Sequence, residues 1–117
     1  MRNFHWNSVL SWLLSAFFIV GGISNIIASE AILSDYDRWG YPEWFHYVTG
    51  MLELTAAILI FQVRSRKAGI ALAAGIMLSA AVTVLVHGEL TRAIAPLLVL
   101  FVAIVAFLTT GAKRRRT

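Results

Sequence analysis

The chain has 117 residues, of which 59% are hydrophobic and only 14% are charged. A soluble domain carries about a quarter charged residues, so this composition excludes an ordinary soluble protein. The absence of cysteine excludes a disulfide, a CxxC redox pair and a thiolate metal site. The net charge of +4 does not indicate nucleic-acid binding, because the basic residues stand in short blocks at the ends of apolar segments.

Four apolar segments follow one another, at about residues 8–29, 44–63, 68–87 and 93–111. Each approaches the roughly 20 residues that a helix needs to cross a hydrocarbon core of about 30 Å. Ala28-Ser29-Glu30 does not make a small-x-small cleavage site, so we expect the first segment to be a retained helix rather than a signal peptide. The pattern predicts one all-α domain over residues 1–117, an integral membrane antiparallel four-helix bundle.

The charged residues between these segments predict the orientation of the chain. One side of a four-pass topology carries eight basic residues and no acidic ones: Arg2, Arg64, Arg66, Lys67, Lys113, Arg114, Arg115 and Arg116. The other side carries Glu30, Asp35, Asp37, Glu43 and Glu89 against Arg38 and Arg92. By the positive-inside rule both termini are cytoplasmic, in a multi-pass protein of the cell (inner) membrane.

Small and polar residues at helical spacing predict the faces on which the helices pack. In the first three helices these faces are Ser8, Ser11, Ser15, Phe18, Gly22, Asn25 and Ser29; His46, Thr49, Gly50, Glu53, Ala56 and Ala57; and Gly75, Ser79, Thr83 and His87. The fourth helix has almost no polar group and is predicted to face lipid.

Glu53 is the only acidic residue inside a predicted transmembrane helix, roughly 13 Å from the start of that helix. A charged carboxylate facing lipid costs at least about 2.5 kcal/mol, so we expect Glu53 to face the interior. Two interpretations stay open: a structural acid that hydrogen-bonds neighbouring helices, and a ligand or proton site.

The predicted depths place further polar residues near Glu53, in the outer half of the membrane. The candidate ligand-binding set is Glu53, Asn25, His46, Thr49, Ser79, Thr83 and His87. His46 and His87 have a simpler interpretation as polar caps at the interface. The sequence contains no HxxxH, ExxH or glycine-rich phosphate motif, and we predict neither a catalytic set nor a metal site.

Two stretches resemble the DoxX-like family of small four-helix membrane proteins: Trp39-Gly40-Tyr41-Pro42-Glu43-Trp44 and Thr49-Gly50-Met51-Leu52-Glu53-Leu54. The resemblance extends over about residues 21–107. Members of the family often have a lysine near the outer end of helix 1 and Thr-His-Leu on helix 3. Here the corresponding residues are Asn25 and Thr83-Val84-Leu85, so a Lys–Glu–His core cannot be carried over. A neutral Glu53 paired with Asn25 is expected instead, with His87 as a candidate substitute for the missing histidine.

The resemblance implies a broad range of functions. The family name derives from a subunit of an archaeal thiosulfate:quinone oxidoreductase, and a similar fold occurs in a eukaryotic chaperone of acetylcholine-receptor assembly. Our first hypothesis is a non-catalytic accessory subunit that binds a hydrophobic small molecule, a quinone or a lipid, beside a membrane oxidoreductase. The alternatives are a membrane scaffold or assembly factor and a small transporter; an enzyme acting alone ranks last. The many small residues are compatible with a homo-oligomer, although no heptad or GxxxG motif decides this.

Overall fold

The computed structural model describes the backbone of residues 6–116 and the side chains of residues 7–110. The described part is helical, without a strand. Its α-helices are α1 (Trp6–Ile27), α2 (Glu30–Trp39), α3 (Phe45–Phe61), α4 (Arg66–Val86) and α5 (Ile94–Arg116), and 3-10 turns lie at Val63–Ser65 and Leu90–Ala93.

Three segments are long and apolar enough to cross a membrane: Asn7–Ile27, Val63–Val86 and Leu90–Thr110. The helix α3 is equally apolar but has only 17 residues, which corresponds to about 25 Å. Membrane-spanning helices begin at about this length, so α3 is the shortest candidate among the predicted crossings.

Each long helix packs against two others. The helix α1 contacts α3, α3 contacts α4, α4 contacts α5, and α5 contacts α1 again. The core between them contains Leu14, Phe18, Ala56, Ala57, Ile60, Ile70, Ala73, Met77, Ala103 and Ala106. Small side chains supply half of this core, which is how helices approach closely where no water drives them together.

The segment between α1 and α3 differs from the prediction. The first predicted segment extends to about residue 29, but α1 ends at Ile27, and the next residue, Ala28, has a positive φ of 52°. Ser29 then caps a separate helix, α2, by accepting a hydrogen bond from the backbone of Ile32. Gly40 ends α2 in the left-handed conformation (φ 85°) that glycine adopts without strain.

The predicted packing faces are confirmed in large part for two helices. On α1, Ser11, Ser15, Phe18 and Gly22 are buried, and Ser8 and Asn25 are partly buried. Ser29 is exposed and lies beyond the end of α1. On α3 the buried residues are His46, Gly50, Glu53, Ala56, Ala57 and Ile60, which includes all but one of the predicted set.

For α4 the predicted packing face is wrong. The buried residues are Arg66, Gly69, Ile70, Ala73, Met77, Ala81 and Val84, whereas Gly75, Ser79 and His87 are exposed. Gly69 decides this orientation, because a Cβ there would lie 2.6 Å from the backbone nitrogen of Ile60. The absence of a side chain at Gly69 therefore permits the close approach of this face of α4 to α3.

The charged residues collect at two opposite ends of the molecule. At what we call the basic end, Asn7 donates hydrogen bonds to the carbonyl of Ala106 (3.0 Å) and to Thr110 Oγ1 (2.6 Å). The Lys67 ammonium lies over the Phe107 ring, 4.5 Å from its centre, and so joins the basic turn between α3 and α4 to this end. At the other end, the α2 end, α2 meets the turn between α4 and α5.

Candidate functional site

Glu53 lies at the middle of α3 and is only 5% exposed. It stands on the same face as Gly50, Ala56 and Ala57, and this face packs against α1. The periodicity of the buried positions therefore turns the acid away from the exposed apolar surface, as the cost of a carboxylate in hydrocarbon requires.

Asn25, near the end of α1, is the hydrogen-bonding partner of Glu53. Its Nδ2 donates to Glu53 Oε1 over 2.7 Å and to the carbonyl of Gly21 over 3.1 Å. Its Oδ1 accepts from the Tyr36 hydroxyl over 2.9 Å, which links the pair to α2. The pairing of Asn25 with Glu53 that was expected in place of a lysine is present in the structure.

Gly21 provides the space in which the carboxyl group lies. A Cβ at this position would stand 3.2 Å from Glu53 Oε2 and 3.4 Å from Oε1, closer than most such contacts. A glycine one turn before Asn25 therefore lets the carboxyl group lie directly against the backbone of α1.

A cavity of about 710 Å³ opens beside Glu53. Its walls are mainly apolar and come from α3 and α4, with Leu52, Leu72, Ile76, Met77 and Ala80 among them. The helix α2 covers one part of it through Ile32, Asp35, Tyr36 and Trp39. Gly75 on α4 also lines this space, and a Cβ at Gly75 would have no atom within 4 Å.

The structure brings five of the seven predicted ligand-binding residues to this one cavity: Asn25, Thr49, Glu53, Ser79 and Thr83. His46 is buried beside it without lining it, and its Nδ1 lies 2.7 Å from the backbone carbonyl of Asn25. His87 is exposed at the end of α4, where its Nδ1 bonds the Thr83 carbonyl (2.8 Å). It is not a lining residue, so it does not stand in for the missing histidine.

Two tyrosines of the cavity were not predicted from the sequence. Tyr36 anchors Asn25, and the Tyr41 hydroxyl lies 2.6 Å from Thr83 Oγ1, joining the loop before α3 to α4. A signal for Tyr36 existed, because Ile32, Asp35, Tyr36 and Trp39 are spaced as one face of a short amphipathic helix.

Ion pairs at the α2 end hold α2 in place over the cavity. Arg38 Nε lies 2.9 Å from Glu89 Oε2, and Arg92 Nη2 lies 2.9 Å from Asp35 Oδ2. Trp39 Nε1 also donates to Glu89 over 3.2 Å. The hydrogen bond from Arg38 lowers the pKa of Glu89 to about 2, and the hydrogen bond from Arg92 lowers the pKa of Asp35.

The site contains one buried acid and several hydroxyl and amide groups in an apolar cavity. Within the described residues, no group of three His, Cys, Asp or Glu side chains is placed to hold a metal ion. The arrangement suits an apolar molecule with one polar group better than it suits an ion.

Comparison with known proteins supports the resemblance noted in the sequence. The model of the DoxX-like family matches residues 9–107, which is most of the chain. No curated protein and no solved structure matches the chain. The matched region includes α2, Glu53 and every lining residue of the cavity. The chain therefore belongs to the DoxX-like family, and its apolar helices make it a membrane protein.

Proposed function

We propose that this protein is a non-catalytic accessory subunit that binds a hydrophobic small molecule, a quinone or a lipid, in the cavity beside Glu53. It would do so next to a membrane oxidoreductase, in the cell (inner) membrane with both termini in the cytoplasm. The observation that carries the proposal is the cavity itself, with a single buried acid in a mainly apolar wall.

The size and walls of the cavity support a small-molecule ligand. Its volume of about 710 Å³ falls in the range of roughly 300–1,000 Å³ typical of such sites. Phe17 and Leu52 both line the cavity, are 44% and 41% exposed, and belong to apolar helices. We therefore expect a ligand that is dissolved in the bilayer to reach the cavity sideways, without crossing water.

The partners of Glu53 support binding rather than catalysis. The group that engages its carboxyl is the side-chain amide of Asn25, which does not exchange protons as a general acid or base does. The sequence has no cysteine, so a redox reaction at this site would depend on the bound molecule and on a partner protein. A protein that binds the molecule while a partner carries out the redox reaction acts as an accessory subunit.

The proposal is tested by filling the cavity. Gly75→Phe places a ring where a Cβ would have no neighbour within 4 Å, and Val82→Phe is the matched control on an exposed, non-lining position of α4. Native mass spectrometry of the purified variants, with added decylubiquinone or phosphatidylglycerol, measures the bound fraction. We expect Gly75→Phe to lose most of the bound ligand and Val82→Phe to behave as the wild type. Equal binding of both probes by all three proteins would overturn the proposal.

A further inference from the structure

The side-chain amide of Asn25 has only one orientation that satisfies its surroundings. The carbonyl of Gly21 is only an acceptor, so the Asn25 atom 3.1 Å away must be the nitrogen. The two N–H groups of Nδ2 are then both used, one by Gly21 and one by Glu53 Oε1. The oxygen of the same amide faces the Tyr36 hydroxyl, which must donate to it.

This orientation determines the roles of the two oxygens of Glu53. Because Oε1 accepts a hydrogen bond from Asn25, it cannot carry a proton pointing at the same N–H group. In an apolar interior the neutral acid is favoured, since an uncompensated carboxylate is expensive there. Oε2 is then the oxygen of a neutral Glu53 that is free to carry the proton and donate it, because it has no hydrogen-bond partner among the described side chains and backbone groups and is not sealed from open space.

We propose that neutral Glu53 donates a hydrogen bond from Oε2 to a carbonyl oxygen of the bound molecule, with Asn25 and Tyr36 as positioning residues. This inference rests on the proposed function, because it specifies the ligand of the same cavity. The ligand is then an apolar molecule with a carbonyl group, either a quinone or the ester of a lipid. The body of that molecule lies against apolar side chains such as Leu72, Ile76 and Met77.

A matched pair of ligands tests the hydrogen bond. Decylubiquinone and decylbenzene share a six-membered ring and a ten-carbon tail, but only the quinone has hydrogen-bond acceptors, of which its two carbonyl oxygens are the strongest. Both dissociation constants are measured in phosphatidylcholine nanodiscs. Binding of the quinone is followed by the quenching of tryptophan fluorescence, because Trp39 lines the cavity. Binding of decylbenzene is followed by its displacement of the bound quinone. We expect the wild type to bind the quinone with a dissociation constant about tenfold lower than that of decylbenzene, because one buried hydrogen bond changes the dissociation constant by about this factor.

Three variants and one control identify the donor. In Glu53→Gln the side-chain nitrogen replaces Oε2 and still donates, so the preference for the quinone should stay within about threefold of that of the wild type. In Glu53→Leu, of similar size, the preference should disappear while decylbenzene still binds. Tyr36→Phe should reduce the preference by a fewfold, because Asn25 loses its anchor, whereas Tyr47→Phe on the exposed face should not change it. A circular dichroism melt confirms that each variant is folded.

The outcomes separate this inference from the proposed function. If Glu53→Gln abolishes the preference although its amide can still donate, a hydrogen bond from residue 53 does not account for the preference, and the inference is wrong. If the wild type binds both ligands equally and Gly75→Phe weakens both, the cavity binds apolar molecules but the inference fails. If neither ligand binds and no lipid is retained, the proposed function fails as well.

A lipid comparison distinguishes the two sources of the carbonyl group. The quinone titration is repeated in nanodiscs of ether-linked phosphatidylcholine, which lacks ester carbonyls. Tighter apparent binding of decylubiquinone in ether-linked than in ester-linked lipid would show that lipid esters compete for Oε2. Equal affinity in both would assign the site to the quinone.

Discussion

At the scale of single residues, Glu89 is a carboxyl group at the α2 end that bonds three different side chains. It accepts hydrogen bonds from Arg38 and Trp39 of α2 and from Arg92 of the following 3-10 turn. These side chains are partly or largely exposed, so each ion pair contributes little by itself. Their effect is to fix the position of α2 over the cavity.

The pKa of Glu89 predicts how the stability of this network depends on pH. Its pKa falls from 4.5 to about 2 in the folded protein, because Arg38 stabilises the charged form. A lowered pKa gives stability that is present above about pH 4.5 and is lost as the pH falls towards 2. We expect the difference in unfolding temperature between the wild type and Glu89→Gln to shrink across this window. The measurement is thermal unfolding in detergent between pH 2 and pH 7, and a difference that stays constant would contradict the assignment.

At the scale of elements, α1 and α3 approach each other closely at two glycines, Gly22 and Gly50. A Cβ on Gly50 would lie 2.6 Å from Ile26 Cγ1 and 2.8 Å from the carbonyl oxygen of Gly22. The second of these atoms belongs to the backbone and cannot move without shifting a helix. This contact also brings Asn25 within reach of Glu53, so the packing of the two helices and the geometry of the site are coupled.

Two alanine substitutions test this contact. Gly50→Ala should destabilise the protein by about 1–3 kcal/mol, because the added methyl group separates α1 from α3. Gly75→Ala is the matched control in a helix interior: its methyl group meets open space, and alanine favours the helix by about 1 kcal/mol relative to glycine. Unfolding titrations with sodium dodecyl sulfate measure both. Similar stabilities for the two variants would mean that α1 and α3 are not in close contact.

At the scale of the whole molecule, the charges fall into two groups at opposite ends. The basic turn after α3 lies at the same end as Asn7 and Thr110, whereas α2 and its ion pairs lie at the other end. An aqueous phase on each side of a membrane suits this distribution. From the positive-inside rule we predict that the basic end faces the cytoplasm.

This topology is testable because the chain has no cysteine of its own. Single cysteines at two exposed positions, Ser34→Cys on α2 and Gln62→Cys after α3, provide sites for a membrane-impermeant maleimide. In intact cells we expect labelling of Ser34→Cys only, and in inside-out vesicles labelling of Gln62→Cys only. The cysteine-free protein is the blank. Labelling of both variants from the same side would contradict an odd number of crossings between the two positions.

The sequence by itself indicated that the helices of this protein lie in a lipid bilayer. It also indicated which face of α1 and of α3 packs against other helices. Segment length and composition predict helices in a bilayer, and the cost of a buried charge turns Glu53 inward, as found. The faces of α1 and α3 follow from small residues at helical spacing. Each of these conclusions depends only on one helix and the lipid around it. The position of the neighbouring helices was therefore not needed to reach them.

Only the tertiary structure decided which face of α4 packs and what covers the site. Both faces of α4 carry small residues, and the choice depends on where the backbone of Ile60 lies relative to Gly69. The position of Tyr36 beside Asn25 depends on how α2 folds back, which the ion pairs to Glu89 and Arg92 fix. His87 shares its helical face with Thr83, yet it lies beyond the cavity. These features arise from contacts between segments that are distant in the chain, and a local pattern does not contain them.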